Sequence, residues 1–159
     1  MRRLLALLLL LFCCFLPGCA EQKITQEELL LSFRCSAAVE YAGKTYECRV
    51  ERQGLGVVTI RTPEIGYHWQ GEFFSQTSAG LEAVSDVCPL PESCFAVQLN
   101  RYLDDLHRKG ALSGVSSDSL EGSLEGKNYT VLADPETGRL CELSVPQIDL
   151  TVRFFDYEA

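Results

Sequence analysis

Phe33-Arg34-Cys35-Ser36-Ala37-Ala38-Val39-Glu40-Tyr41, then Ala42-Gly43, then Lys44-Thr45-Tyr46-Glu47-Cys48-Arg49-Val50-Glu51, is the stretch on which the fold turns. Phe33, Cys35, Ala37, Val39 and Tyr41 fall on odd positions with Arg34, Ser36 and Glu40 between them, the period of a strand with one dry face. After Ala42-Gly43 the parity reverses: Tyr46, Cys48 and Val50 are apolar, and Thr45, Glu47, Arg49 and Glu51 are polar. A turn centred on Ala42-Gly43 sets Val39 opposite Tyr46 and Ala37 opposite Cys48, so all the apolar side chains of both strands share one face. The register is therefore self-consistent, and it predicts a one-sided antiparallel sheet.

The same alternation continues downstream. Val57-Val58-Thr59-Ile60 is β-branched and stops before Pro63, and Tyr67 to Gln70 and Glu72 to Gln76 flank Gly71 as a second hairpin. Ser78 to Pro91 reads as a loop or a partly helical crossover. A single amphipathic helix starts near Glu92 or Ser93 and carries Phe95, Leu99, Tyr102, Leu103 and Leu106 on one stripe, with Asp104, Asp105 and Arg108 opposite. Gly110 is its terminator, and His107, Arg108 and Lys109 occupy the last turn, where cations meet the carbonyl end. Four more runs follow, Leu120 to Leu124, Tyr129 to Ala133, Leu140 to Val145 and Ile148 to Phe155, parted by Gly, Asn, Asp and Pro turns. The expected fold is α+β: a curved antiparallel half-barrel of about seven to nine strands, with one helix of about 17 residues spanning roughly 25 Å on its apolar face.

Composition bounds the function. The chain has 159 residues, 22 acidic against 14 basic, and a formal charge of −8, so the average field repels a phosphate backbone and excludes nucleic acid as the expected partner. With 47% apolar residues it can bury one core. At the amino end Arg2 and Arg3 precede an apolar run, Leu4 to Leu16, that is short of the roughly 20 residues a membrane span needs and of the length of an export signal. Leu16-Pro17-Gly18-Cys19 closes that run and resembles the lipobox of bacterial lipoproteins. The resemblance implies cleavage before Cys19, a diacylglyceryl group on its thiol, and a membrane anchor on the outer face of the cytoplasmic membrane or on the periplasmic or outer-membrane side. Gly18 with Ala20 also fits an ordinary small-x-small cleavage site, which would leave Cys19 a plain thiol. The expected organisation is a signal peptide over residues 1–18, a lipidated Cys19 with a polar tether over 19–31, and one β-rich domain over 32–159.

The order of hairpin, further strands, helix and three or four strands is similar to the superfamily of bacterial lipoprotein localisation factors, whose curved half-barrels cradle acyl chains beneath helical lids. That likeness is topological, spans residues 32–155 and rests on no signature motif. It implies an apolar pocket, and the dry-face residues Phe33, Val39, Tyr46, Val50, Leu150 and Phe154 would line it for an apolar ligand or acyl chain. The competing expectation is that the helix stripe fills the concavity, leaving an envelope interaction or structural lipoprotein with no small-molecule site.

Enzymatic readings find little support. The only two His are His68 and His107, and no H-E-x-x-H, G-x-S-x-G or S-x-x-K pattern surrounds a nucleophile. His68 reads as a solvent-facing strand residue, His107 as a surface residue at a helix end, and Asp104 and Asp105, about 100° apart on a helix, as a solvated face. Beyond Cys19 the mature chain keeps Cys35, Cys48, Cys88, Cys94 and Cys141, with no C-x-x-C and no zinc spacing, so neither a metal nor a cofactor is expected. Cys35 and Cys48 read as buried apolar residues, Cys141 as a core residue, and Cys88 and Cys94 as a candidate disulfide clipping the loop to the helix start.

Overall fold

The computed structural model describes residues 22–158. Consecutive hairpins build one open, curved, antiparallel sheet: β1 (Ser32–Tyr41), β2 (Lys44–Gln53), β3 (Val57–Arg61), β4 (Ile65–Gln70), β5 (Phe73–Ser78), β6 (Leu81–Ser85), β7 (Leu112–Gly114), β8 (Ser119–Leu124), β9 (Lys127–Ala133), β10 (Leu140–Val145) and β11 (Leu150–Phe155). The order across it is β6-β5-β4-β3-β2-β1-β11-β10-β9-β8-β7, and α1 (Phe95–Asp105) lies between β6 and β7 in the chain. The sheet has eleven strands rather than seven to nine.

The two strands absent from the sequence reading, β6 and β7, are short edge strands with few buried residues, so neither shows a dry-face alternation. β6 lies inside the segment read as a loop or partly helical crossover. It is created by a tight turn in which both Ala79 and Gly80 have positive φ, the conformation whose twist matches that of two right-twisted antiparallel strands. The first hairpin has the expected register: Val39 pairs with Tyr46 and Ala37 with Cys48, around a turn with Ala42 at φ 49° and Gly43 at φ 75°. β1 also pairs with β11 from Ser36↔Phe155 to Tyr41↔Leu150, which joins the two halves of the meander at the centre of the sheet.

Three local departures have identifiable causes. A register shift between Leu140 and Glu142 makes Cys141 the extra residue of a bulge, so Leu140 and Leu143 both point inward and Cys141, expected in the core, is exposed. Pro146 opens a short 3-10 turn over Pro146–Ile148, and Asp149 takes φ 50°, so the last strand starts at Leu150 rather than Ile148. The helix has 11 residues rather than about 17: it starts at Phe95 instead of Glu92 or Ser93, and its carbonyl end is capped from outside. The Gln26 side-chain amide donates to the carbonyls of Leu106 at 2.9 Å and Arg108 at 2.8 Å, satisfying groups that another turn of helix would have used. Gly110, at φ 72°, turns the chain only after that.

Gln26 belongs to a segment expected to be an unstructured tether. Instead the chain docks from Ile24 onward. Ile24 and Leu29 are buried in the core, the Ile24 N–H donates to the Ser116 carbonyl at 3.0 Å, and Leu30 donates to Gly138 at 2.9 Å. Thr25 and Glu28 close a capping box, the Thr25 N–H donating to Glu28 Oε2 at 2.6 Å. A side chain at Gly114 would collide with the Ile24 carbonyl, so glycine there lets this segment lie against β7. The folded body thus begins at Ile24, not at Ser32.

Candidate functional site: the concave face

The six residues expected to line a pocket do lie on one face. Val39 pairs with both Tyr46 and Val152, Tyr41 with Leu150, and the Phe33 and Phe154 rings meet edge to face at 6.3 Å. Helix α1 lies over this face. Phe95 stacks on Tyr46 with ring centroids 4.2 Å apart and meets Tyr67 edge-on at 6.2 Å. Leu99, Leu103 and Leu106 above, and Ala37, Val39 and Val50 in the sheet, are 0% exposed. A side chain at zero exposure touches no space that a water-sized sphere can enter, so the concavity beneath the helix is filled at this centre. Phe33, Val39, Val50, Leu150 and Phe154 are buried core residues, and Tyr46 is half-buried under Phe95.

Polar groups finish the closure. Arg52 shares the parity of Val50 and so points into the dry face, where it is 1% exposed. Its guanidinium donates to the carbonyls of Leu103 and Gly54, and Nη2 lies 3.8 Å from Asp104 Oδ1. Helix end and sheet are thereby tied by a buried charge, which the polar reading of Arg52 by residue type alone would miss and strand parity finds. On the other flank Tyr129 donates to Asp105 Oδ2 at 2.6 Å, and Arg108 Nε donates to Asp105 Oδ1 at 2.5 Å. Asp105, expected on a solvated face, is buried, while Asp104 keeps part of its side chain in solvent. The Tyr129→Phe variant leaves that buried carboxylate with one partner and is expected to lose about 2 kcal/mol, read as a shifted urea midpoint with unchanged slope.

His107 is half-buried rather than at the surface, its Nε2 3.5 Å from the Leu29 carbonyl and its Nδ1 without a partner. Burial first, and the charge of Arg52 second, hold its imidazolium pKa below the ordinary 6.5. The unfolded chain then binds the proton more readily, so stability falls as pH drops below about 6.5. Asp104 acts in the opposite sense, since burial raises its carboxyl pKa and acidification toward the carboxylate range relieves that cost. Melting temperature is expected to decline between pH 7.5 and 5.5 and to decline less in His107→Gln.

His68 sits half-buried on the convex face, 2.8 Å from Thr59 Oγ1, consistent with its expected strand position. It borders an open polar groove of about 820 Å³ with Arg61, Glu64, Thr77 and Glu82. Cys35 and Cys48 are buried as expected, and burial pushes both thiols up to about 12, away from the thiolate that a nucleophile requires. Cys88 and Cys94 stand as separate free thiols. Among the described residues no three His, Cys, Asp or Glu side chains are grouped to hold a metal, and no helix is long and apolar enough to cross a membrane. The lipobox-like Leu16-Pro17-Gly18-Cys19 lies outside the described residues.

Compared with known proteins, the chain matches no family model and no curated protein.

Proposed function

We propose that this protein is a lipid-anchored, non-enzymatic component of a bacterial cell envelope that works through its surface, as an interaction or structural module, rather than as a carrier of an apolar ligand. The observation that carries this reading is the filled concavity. The helix stripe of Leu99, Leu103 and Leu106 and the sheet residues Ala37, Val39 and Val50 leave one another no water-sized space, so an acyl chain could enter only by displacing the helix. The lipobox-like sequence at Cys19 supports the anchor, and the docked segment from Ile24 holds the body close to it.

Among the described residues the sheet offers one free edge for such a partner. β7 is covered at its end by the bond from Ile24 to Ser116, whereas β6 pairs only with β5 and exposes Leu81 and Val84. An unpaired strand of this kind is where an extended polypeptide adds by main-chain hydrogen bonds. The likeness to lipoprotein localisation factors would instead favour acyl-chain binding, and titration separates the two. A fluorescent fatty acid added to the purified protein is expected to show no saturable increase in emission. Saturable one-to-one binding, displaced by unlabelled fatty acid, would replace this proposal with the carrier reading.

A further inference from the structure

The two ends of the strands differ in a way that the core does not require. At one end lie the β1–β2, β3–β4, β5–β6, β8–β9 and β10–β11 connections, which are built from Ala42-Gly43, residues 62–64, Ala79-Gly80, Glu125-Gly126 and residues 146–149. Leu81, the first residue of β6, is the exposed large apolar side chain there. The opposite end gathers the start of β1, the β2–β3 and β4–β5 turns, the exit from β6, the β7–β8 loop, and also the β9–β10 loop and the exit from β11. The first five of these places present a large apolar side chain to solvent: Leu31, Leu55, Phe73, Val87 and Val115, with Leu55 at 66% and Val87 at 72% exposure. Apolar residues at these loop tips contribute nothing to a core, and all five lie on the rim at one end of the strands.

The chain enters the body at this same rim, because Ile24 bonds to Ser116 in the β7–β8 loop. Four residues lie between Cys19 and Ile24, and whatever their conformation the five steps reach at most about 18 Å. β8, which leaves that loop, has six residues and spans about 20 Å, so turning the far end of the strands to a bilayer that holds Cys19 would need more than the full extension of this segment. We infer that this rim is a bilayer-contacting surface, with Leu31, Leu55, Phe73, Val87 and Val115 entering the interfacial layer of the membrane that anchors the protein. The inference rests on the anchor at Cys19 for its tether argument and on the loop ends for its surface. The same end carries exposed Glu72, Asp86, Asp118 and Glu136, so the headgroups it accepts are neutral rather than anionic.

The test places one added tryptophan at a time in the full mature protein, in vesicles of phosphatidylcholine with brominated acyl chains. Leu55→Trp and Val87→Trp probe the rim, and Leu81→Trp probes the far end. All three positions are exposed, so folding is retained, and the native Trp69 is buried and supplies a common baseline. Emission from the two rim variants is expected to fall by about half relative to unbrominated vesicles, and that from Leu81→Trp to match the wild type. Equal quenching at rim and far end, or none at either, overturns the inference. The intact mass of the same samples reports the anchor separately. Lipidated Cys19 without rim quenching removes this inference alone, whereas rim quenching with an unmodified Cys19 removes the anchor and keeps the surface.

Discussion

Replacing Cys19 by Ser is expected to abolish the added lipid mass and to release the protein from membranes into the soluble fraction. The size of the effect follows from the hydrophobic energy of acyl chains. Each buried methylene contributes about 0.8 kcal/mol; one chain gives only marginal binding, and two make residence durable. A diacylglyceryl group on the thiol supplies two chains at once. Five side chains in an interfacial layer supply far less, and they meet water without difficulty in the free protein, so the rim orients the body but does not hold it. Intact mass and membrane fractionation check the prediction. An unmodified Cys19→Ser protein that stays with the membrane would refute this anchoring.

The second large effect is expected in the helix. Leu99→Ala removes a side chain at zero exposure from the centre of the interface between α1 and the sheet. Lost transfer energy and the remaining void together cost about 3 kcal/mol, a substantial part of the 5 to 15 kcal/mol that holds a domain of this size together. Melting temperature is expected to fall by roughly 10 °C. Leu81→Ala, at 78% exposure, serves as the control and is expected to change stability by less than about 0.5 kcal/mol. A comparable small change in both variants would mean that the helix rests on the sheet without packing into it.

What the sequence disclosed, and what it withheld, divides along physical lines. The first hairpin was legible to the residue, because a two-residue turn and reversed parity leave one register that keeps Phe33, Cys35, Ala37, Val39, Tyr46, Cys48 and Val50 on one face. Pairing of β1 with β11 was not, since a contact between Ala37 and Phe154 leaves no local trace in either strand. β6 and β7 escaped notice because edge strands need no dry face. Cys141 was misplaced by a bulge, which shifts parity by one residue without any glycine to announce it. The tether was misread because Ile24 stands alone among polar neighbours, Leu29-Leu30-Leu31 is too short a run to show a period, and Gln26 caps a helix end some eighty residues away in the chain. For the candidate site, sequence parity named the face correctly and found the stripe that covers it. Whether that stripe fills the concavity is a matter of side-chain volume and helix placement, which a pattern of apolar positions does not encode.

The account depends on α1 being part of the core and not a movable cover. Hydrogen exchange of the backbone amides measures this directly, because a segment that opens on its own exchanges faster than one released only by global unfolding. Amides of Phe95–Asp105 are expected to exchange as slowly as those of β1 and β2, with all three shifted together in Leu99→Ala. Helix amides exchanging about 100-fold faster than strand amides, at unchanged global stability, would contradict the account and restore a cavity that opens to an apolar guest.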